Sequence, residues 1–349
     1  MLVFVSILAA GRAESAERER TMASDPGVEQ RIELFLALLR RRAERALETH
    51  PQVPAPTPAP RRPLISGSAD IAQGYESNVF LDGDKRGDFF TEESVALSVT
   101  PEFTPQLTGD LSYELSNTHY GELRDANSWS NTLTAAAKWQ PSPRAQGGIR
   151  YEFAILNFPF DTSSSFLDHR LILDTQLALT RRLSWKTGLA YQSREYDTRK
   201  ARDGGGNDLD ESTRVDQRHT VTQTLSLRLP RTSLKLVGQA YRNTSNDAFE
   251  DFYDWDDLQV RGVASRVVGR SWVSTLVVGH ERRNYQARSV PAIAIAERDN
   301  LETLAGSLSY LITPAAQVTY SLTYRFQDSN DPRLDFTDWV NQMRCSITF

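Results

Sequence analysis

The chain has a single cysteine, Cys345, among 349 residues, so it can form no intrachain disulfide and build no multi-cysteine metal site. Long apolar runs are missing too. Beyond the first dozen positions no eighteen consecutive residues are apolar, which excludes a helical membrane span there. Basic clusters are scarce: apart from Arg40-Arg41-Arg42 the Lys and Arg residues are scattered singly or in pairs, and the formal charge is -5. That balance offers no electrostatic footprint for a nucleic acid. Hydrophobic residues make up only 39% of the chain and the mean hydropathy is -0.47. A membrane-spanning β-barrel is hidden from hydropathy in this way, because only alternate residues meet lipid.

What the sequence does have is alternation. Counting back from the end, Phe349, Ile347, Cys345 and Met343 fall on one face, and Thr348, Ser346, Arg344 and Gln342 on the other. A period of two predicts a strand. From residue 64 onward the same pattern recurs, interrupted by breaks of two alternating kinds. Short breaks with Pro or paired basic residues fall at 100–105, 140–143, 180–182, 229–232, 268–270 and 313–316. Longer ones rich in Asp, Asn, Gly and Ser fall near 80–90, 121–128, 157–166, 197–214, 243–254, 285–298 and 328–335. These breaks divide the chain into about 14 strands, an even number with short turns on one side and long loops on the other, as in transmembrane barrels. A soluble sandwich has shorter strands and no reason to sort its loops by parity. The predicted fold is all-β: a closed antiparallel up-and-down transmembrane β-barrel over 64–349, with a short N-terminal helix before it.

Apolar rows such as Leu107, Leu111, Tyr113 and Leu115, or Val318, Tyr320, Leu322 and Tyr324, would meet lipid. Trp139, Trp185, Trp272 and Phe349 lie beside short breaks, and Tyr120, Trp129, Tyr191 and Trp255 beside long ones, where two aromatic girdles belong. The opposite rows carry Lys138, Arg150, Glu152, Arg170, Asp174, Lys186, Arg194, Arg261, Glu281, Arg283, Arg325 and Arg344. Charges are costly in hydrocarbon, so these are candidate lumen-lining residues. Basic residues outnumber acidic ones among them, which would favour anionic or polar solutes. The alternative is that they pair across the lumen and hold its shape.

Ahead of the barrel, residues 1–16 read as an export signal without the usual leading positive charges, so the true start would lie upstream. Residues 24–48 open with Ser24-Asp25-Pro26 and carry Val28, Ile32, Phe35 and Leu39 at helical spacing, which predicts a periplasmic amphipathic helix, either solvated or docked on a partner or the barrel mouth. Six prolines between Pro51 and Pro63 make 49–63 an extended linker.

Catalytic constellations are poor. His119, His169, His219 and His280 sit on separate strands without a Gly-x-Ser-x-Gly motif, so neither enzymatic activity nor a cofactor is expected. The stretch from Asp203 to Glu211 has the oxygens and glycines that calcium loops use, but in one copy and outside the EF-hand register, and a flexible solvated loop has the same composition.

The final strand resembles the C-terminal signature strand of Gram-negative outer-membrane β-barrels, whose last aromatic residue, here Phe349, is part of the assembly signal. Gly74-Tyr75-Glu76-Ser77-Asn78, within Ser68 to Phe80, resembles the first strand of a diverse group of β-barrel porins, some linked with exopolysaccharide export. Similar barrels follow helical repeats in surface-lipoprotein assembly modifiers, and Arg325 to Asp331 is similar to a late stretch of these. This chain has one helix where they have several repeats. The resemblance implies location in the outer membrane, contact with its lipid and lipopolysaccharide, and handling by the barrel assembly machinery. It also implies a porin-like channel, or the outer port of a polysaccharide exporter with periplasmic export partners. The alternative is an assembly or interaction barrel that handles surface lipoproteins or another protein partner.

Overall fold

The computed structural model describes residues 64–81, 85–249, 253–290 and 295–349. The expected export signal, helix and linker lie outside these residues. The strands are β1 (Ile65–Glu76), β2 (Asp88–Val99), β3 (Glu102–Thr104), β4 (Leu107–Tyr120), β5 (Ser128–Ser142), β6 (Ala145–Asn157), β7 (Phe166–Ala178) and β8 (Leu183–Arg202). They continue with β9 (Asp208–Arg228), β10 (Thr232–Ser245), β11 (Trp255–Val268), β12 (Trp272–Val290), β13 (Ile295–Thr313), β14 (Ala316–Ser329) and β15 (Phe336–Thr348). Consecutive strands pair antiparallel except β2 and β3, β1 pairs with β15, and β2 pairs with β4. The three-residue β3 folds back on β4, so the wall is a closed ring of 14 strands. Closure leaves none of the 14 wall strands with an unpaired edge, the condition for a sheet to sit in hydrocarbon.

The faces follow the side-chain period. On β14, Tyr320, Leu322, Tyr324 and Phe326 point outward, while Ser321, Thr323, Arg325 and Gln327 point inward. On β15, Met343, Cys345, Ile347 and Phe349 are outward and Gln342, Arg344 and Ser346 inward. A slip of one residue would exchange these rows. An Arg brought to the bilayer midplane costs about 2–4 kcal/mol, which holds the register.

Two of the expected long loops are mostly strand. β8 runs to Arg202 and β9 starts at Asp208, while β12 runs to Val290 and β13 starts at Ile295, so the predicted loops 197–214 and 285–298 are too long. Above the lipid the outer row meets water, and the apolar half of the alternation lapses although the ladder continues. These longer hairpins receive the neighbouring loops through a repeated corner. Asn246 takes the Val215 N–H on its side-chain oxygen at 2.7 Å and donates its own N–H to the Val215 carbonyl at 3.1 Å. Asn330 does the same with Arg298, at 2.8 and 3.1 Å. Each Asn stands in a Ser-Asn-Asp triplet, Ser245-Asn246-Asp247 or Ser329-Asn330-Asp331. Among the described residues no helix is long and apolar enough to cross a membrane.

Candidate functional site: the lumen wall

All twelve candidate lumen residues lie on inward rows, and most fall into three groups. The first spans β6 to β8. Glu152 bridges Arg150 at 3.1 Å and Arg170 at 3.4 Å, and Asp174 pairs with Lys186 at 3.6 Å. Lys138 lies on the adjoining inward row of β5, and Arg194, higher on β8, pairs with Asp168 of β7 at 3.5 Å. The second group spans β11 and β12. Arg283 pairs with Asp257 at 3.5 Å and Glu281 at 3.1 Å, and Gln259 donates to Glu281 at 2.9 Å while accepting from Arg261 at 3.0 Å.

The third group closes the ring. Arg325 of β14 donates to Glu76 of β1 at 2.6 Å, and its Nε donates to Asp338 of β15 at 2.8 Å. Tyr120 of β4 adds its hydroxyl to Glu76 at 2.6 Å, and Ser77 and the Asn78 N–H both donate to Asp338 at 3.0 Å. The Glu76-Ser77-Asn78 motif of the first strand therefore binds it to the last two. Below it, Arg344 pairs with Glu92 at 3.0 Å, and Ser346 bonds Asp70.

The upper end of β7 to β13 holds a rim that the sequence reading did not find. Arg194 and Arg199 on β8 flank Tyr196, and Arg283 and Arg288 on β12 flank Tyr285, so Arg-x-Tyr-x-x-Arg occurs twice. In both copies the register shifts, between Glu195 and Lys200 and between Asn284 and Ser289, an irregularity after which the second Arg lies on the inward row. The strand before each copy opens with an aromatic-x-Asp pair, Phe166 and Asp168 on β7 or Trp255 and Asp257 on β11. Phe166 faces Tyr196 and Trp255 faces Tyr285, while Asp168 faces Arg194 and Asp257 faces Arg283. Phe336 and Asp338 on β15 repeat the pair four strands further on. Guanidinium groups stack on these rings: Arg214 lies 3.2 Å from the Tyr253 centroid, Arg283 4.1 Å from Trp255, and Arg218 4.8 Å from Trp255. Such stacking suits Arg, whose planar, weakly hydrated cation tolerates burial.

Two girdle assignments are corrected. Trp139, Trp185, Trp272, Trp129, Tyr191 and Phe349 are exposed on the outer face, but Tyr120 bonds Glu76 inside and Trp255 is only 4% exposed. Tyr120 shares the row of Glu114, and Trp255 that of Asp257, so parity rather than nearness to a loop decides their side. Trp339 and Phe89 stand outward at the loop end instead. The four strand histidines also face outward: His119 bonds Asn127, His169 bonds the Tyr151 hydroxyl at 2.7 Å, His280 bonds Glu302 at 2.7 Å, and His219 packs on Tyr191. At the β8–β9 tip Asp203 accepts from the Gly205 and Asn207 N–H groups, each at 2.9 Å, so its carboxylate is engaged by the turn itself. The Asn207 side chain donates to it as well, and these bonds hold its pKa below the usual carboxylate range. Among the described residues no three acidic, His or Cys side chains group as a metal site.

No family model and no curated protein matches the chain. Among solved structures it is similar to a bacterial polysaccharide outer membrane secretin, with 10% identity, TM-score 0.47, and 82% of this chain against 98% of that one. It is similar to an anion-selective porin from Comamonas acidovorans at the same identity, score and coverage. An outer membrane channel from Pseudomonas putida F1 aligns with 13% identity and TM-score 0.43 over 85% of this chain and 100% of that one. Overlaps at these scores carry no argument, and the fold stands on the barrel's own pairing and faces.

Proposed function

We propose that the chain is an outer-membrane channel that passes polar or anionic solutes through a wet lumen. A closed antiparallel barrel with an apolar outer surface and a charged inner one belongs to Gram-negative outer membranes. The observation that carries the reading is the middle tier of the lumen, where charged side chains such as Lys186, Lys235 and Arg261 stay at least partly exposed on inward rows. Charges so placed need water beside them. The Lys- and Arg-bearing inward rows from β5 to β12 supply the attraction for anions. The alternative, an assembly or interaction barrel that handles surface lipoproteins or another protein partner, gains no support from the described residues.

Reconstitution of the folded full chain in planar bilayers tests this. Stepwise conductance in KCl is the expected result. Silent bilayers, with heat-modifiable folded protein shown to be inserted, would contradict it.

A further inference from the structure

The inward charges are sorted by strand. On β1, β2 and β4 the inward rows carry Asp70, Glu76, Asp88, Glu92, Asp110 and Glu114, and no Lys or Arg. On β8, β9 and β10 they carry Lys186, Arg194, Arg199, Arg214, Arg218 and Lys235, against the single acid Asp216. Arg261 extends this basic set to the middle of β11, whose inward row carries the acid Asp257 nearer the loop end, paired with Arg283.

These sets face each other. In the ring of 14 wall strands, β10 is reached from β2 in seven steps by either route. The two walls are also matched along the axis. Asp110 is the fourth residue of β4, and Lys186 and Lys235 are the fourth of β8 and β10, all counted from the short-turn end. Glu114 is the eighth residue of β4, and Arg261 the eighth of β11 counted from that end.

Two acids of this wall, Asp70 and Asp110, accept from hydroxyls. Asp70 accepts from Ser94 at 3.4 Å and from Ser346, and Asp110 accepts from Ser98 at 3.3 Å and Thr100 at 3.4 Å. Hydroxyl donors orient a carboxylate without cancelling its charge. Arg344 neutralises part of the wall through Glu92.

Resting on the channel reading, we infer that the lumen is electrically polarised across its width and that the favoured solutes are small zwitterions. A simple anion is drawn to the β8–β11 wall and repelled by the opposite one. A simple cation meets the reverse. A zwitterion that lies across the pore places its cationic end toward Asp70 and Asp110 and its anionic end toward Lys235 and Arg261, so both walls attract it. The low-dielectric wall around a narrow wet passage focuses the field of such opposed charges.

The experiment uses the full chain in bilayers under a KCl gradient, together with liposome flux of alanine against an uncharged sugar alcohol of similar size. The wild type should show a reversal potential near zero and pass alanine several-fold faster. D70N/D110N should shift the reversal potential toward anion preference, and K235Q/R261Q toward cation preference, with the alanine advantage reduced in both. E114Q and K186Q serve as single substitutions should a double variant fail to give heat-modifiable barrel. Strong anion or cation preference in the wild type, or shifts of the same sign from both walls, would overturn the inference while leaving the channel in place. A wild type without conductance would remove the channel reading itself.

Discussion

Arg325 and Glu76 are 249 residues apart and meet at 2.6 Å, across the strand that separates β14 from β1. With Asp338 they form a buried triad at the seam where the ends of the barrel join. Arg325→Met leaves two buried carboxylates without their shared cation, and a loss of about 3–5 kcal/mol is expected. Adding E76Q and D338N to that variant removes the uncompensated charge and should restore most of it. Denaturant titration of the folded barrel checks both.

Phe349 contributes in two separable ways. Its backbone exchanges hydrogen bonds with Gly67 at 2.7 and 2.9 Å, and its ring is 70% exposed on the outer face. Deletion removes both contributions, whereas Phe349→Ala removes only the ring. If the ring acts as an assembly signal, both variants accumulate less heat-modifiable barrel in the outer membrane, and less than any lumen substitution does. Wild-type levels of folded barrel after the deletion would contradict that role.

The β14–β15 loop should open in acid. Arg333 donates to Asp331 from its side chain and backbone N–H, and these bonds hold the Asp331 carboxyl below its usual range. A depressed folded pKa means that the ionised form is the stabilised one. Its contribution is complete above the ordinary Asp value of about 3.9 and is lost as pH falls through the folded value. The protection of residues 329–335 against hydrogen exchange, relative to the intrinsic rate at each pH, should therefore fall below about pH 4. Asp331→Asn should lack that protection at every pH.

The upper rim should depend on its stacked rings. Tyr253 is 2% exposed and lies under Arg214, so Tyr253→Ala removes a desolvated cation–π contact worth about 2 kcal/mol as well as buried area. Faster proteolysis at the 203–207 tip, with an unchanged denaturation midpoint for the barrel, is the expected readout.

The architecture was legible because its rule is local. Period two places Arg344 and Met343 on opposite faces without reference to any other strand, and the parity of the breaks orders the strands. The pattern misleads where a second rule competes with the first. Nearness to a loop puts Tyr120 and Trp255 in the girdle, although their own parity places them inside. Arg199 and Arg288 stand at register shifts that break the period, and only the repeated Arg-x-Tyr-x-x-Arg could have pointed to them. The choice of Arg325 as the partner of Glu76 depends on how the ring closes, and no local pattern carries that.

The central claim is that the inward rows line a wet passage and the outward rows meet lipid. Cysteines introduced singly at Ser321 and Leu322, in a Cys345→Ser background, test it on adjacent positions of β14. A charged, membrane-impermeant thiol reagent should react with the cysteine at 321 and lower the conductance, and should leave the cysteine at 322 untouched. Equal reaction at both positions, or reaction at 322 alone, would contradict the account.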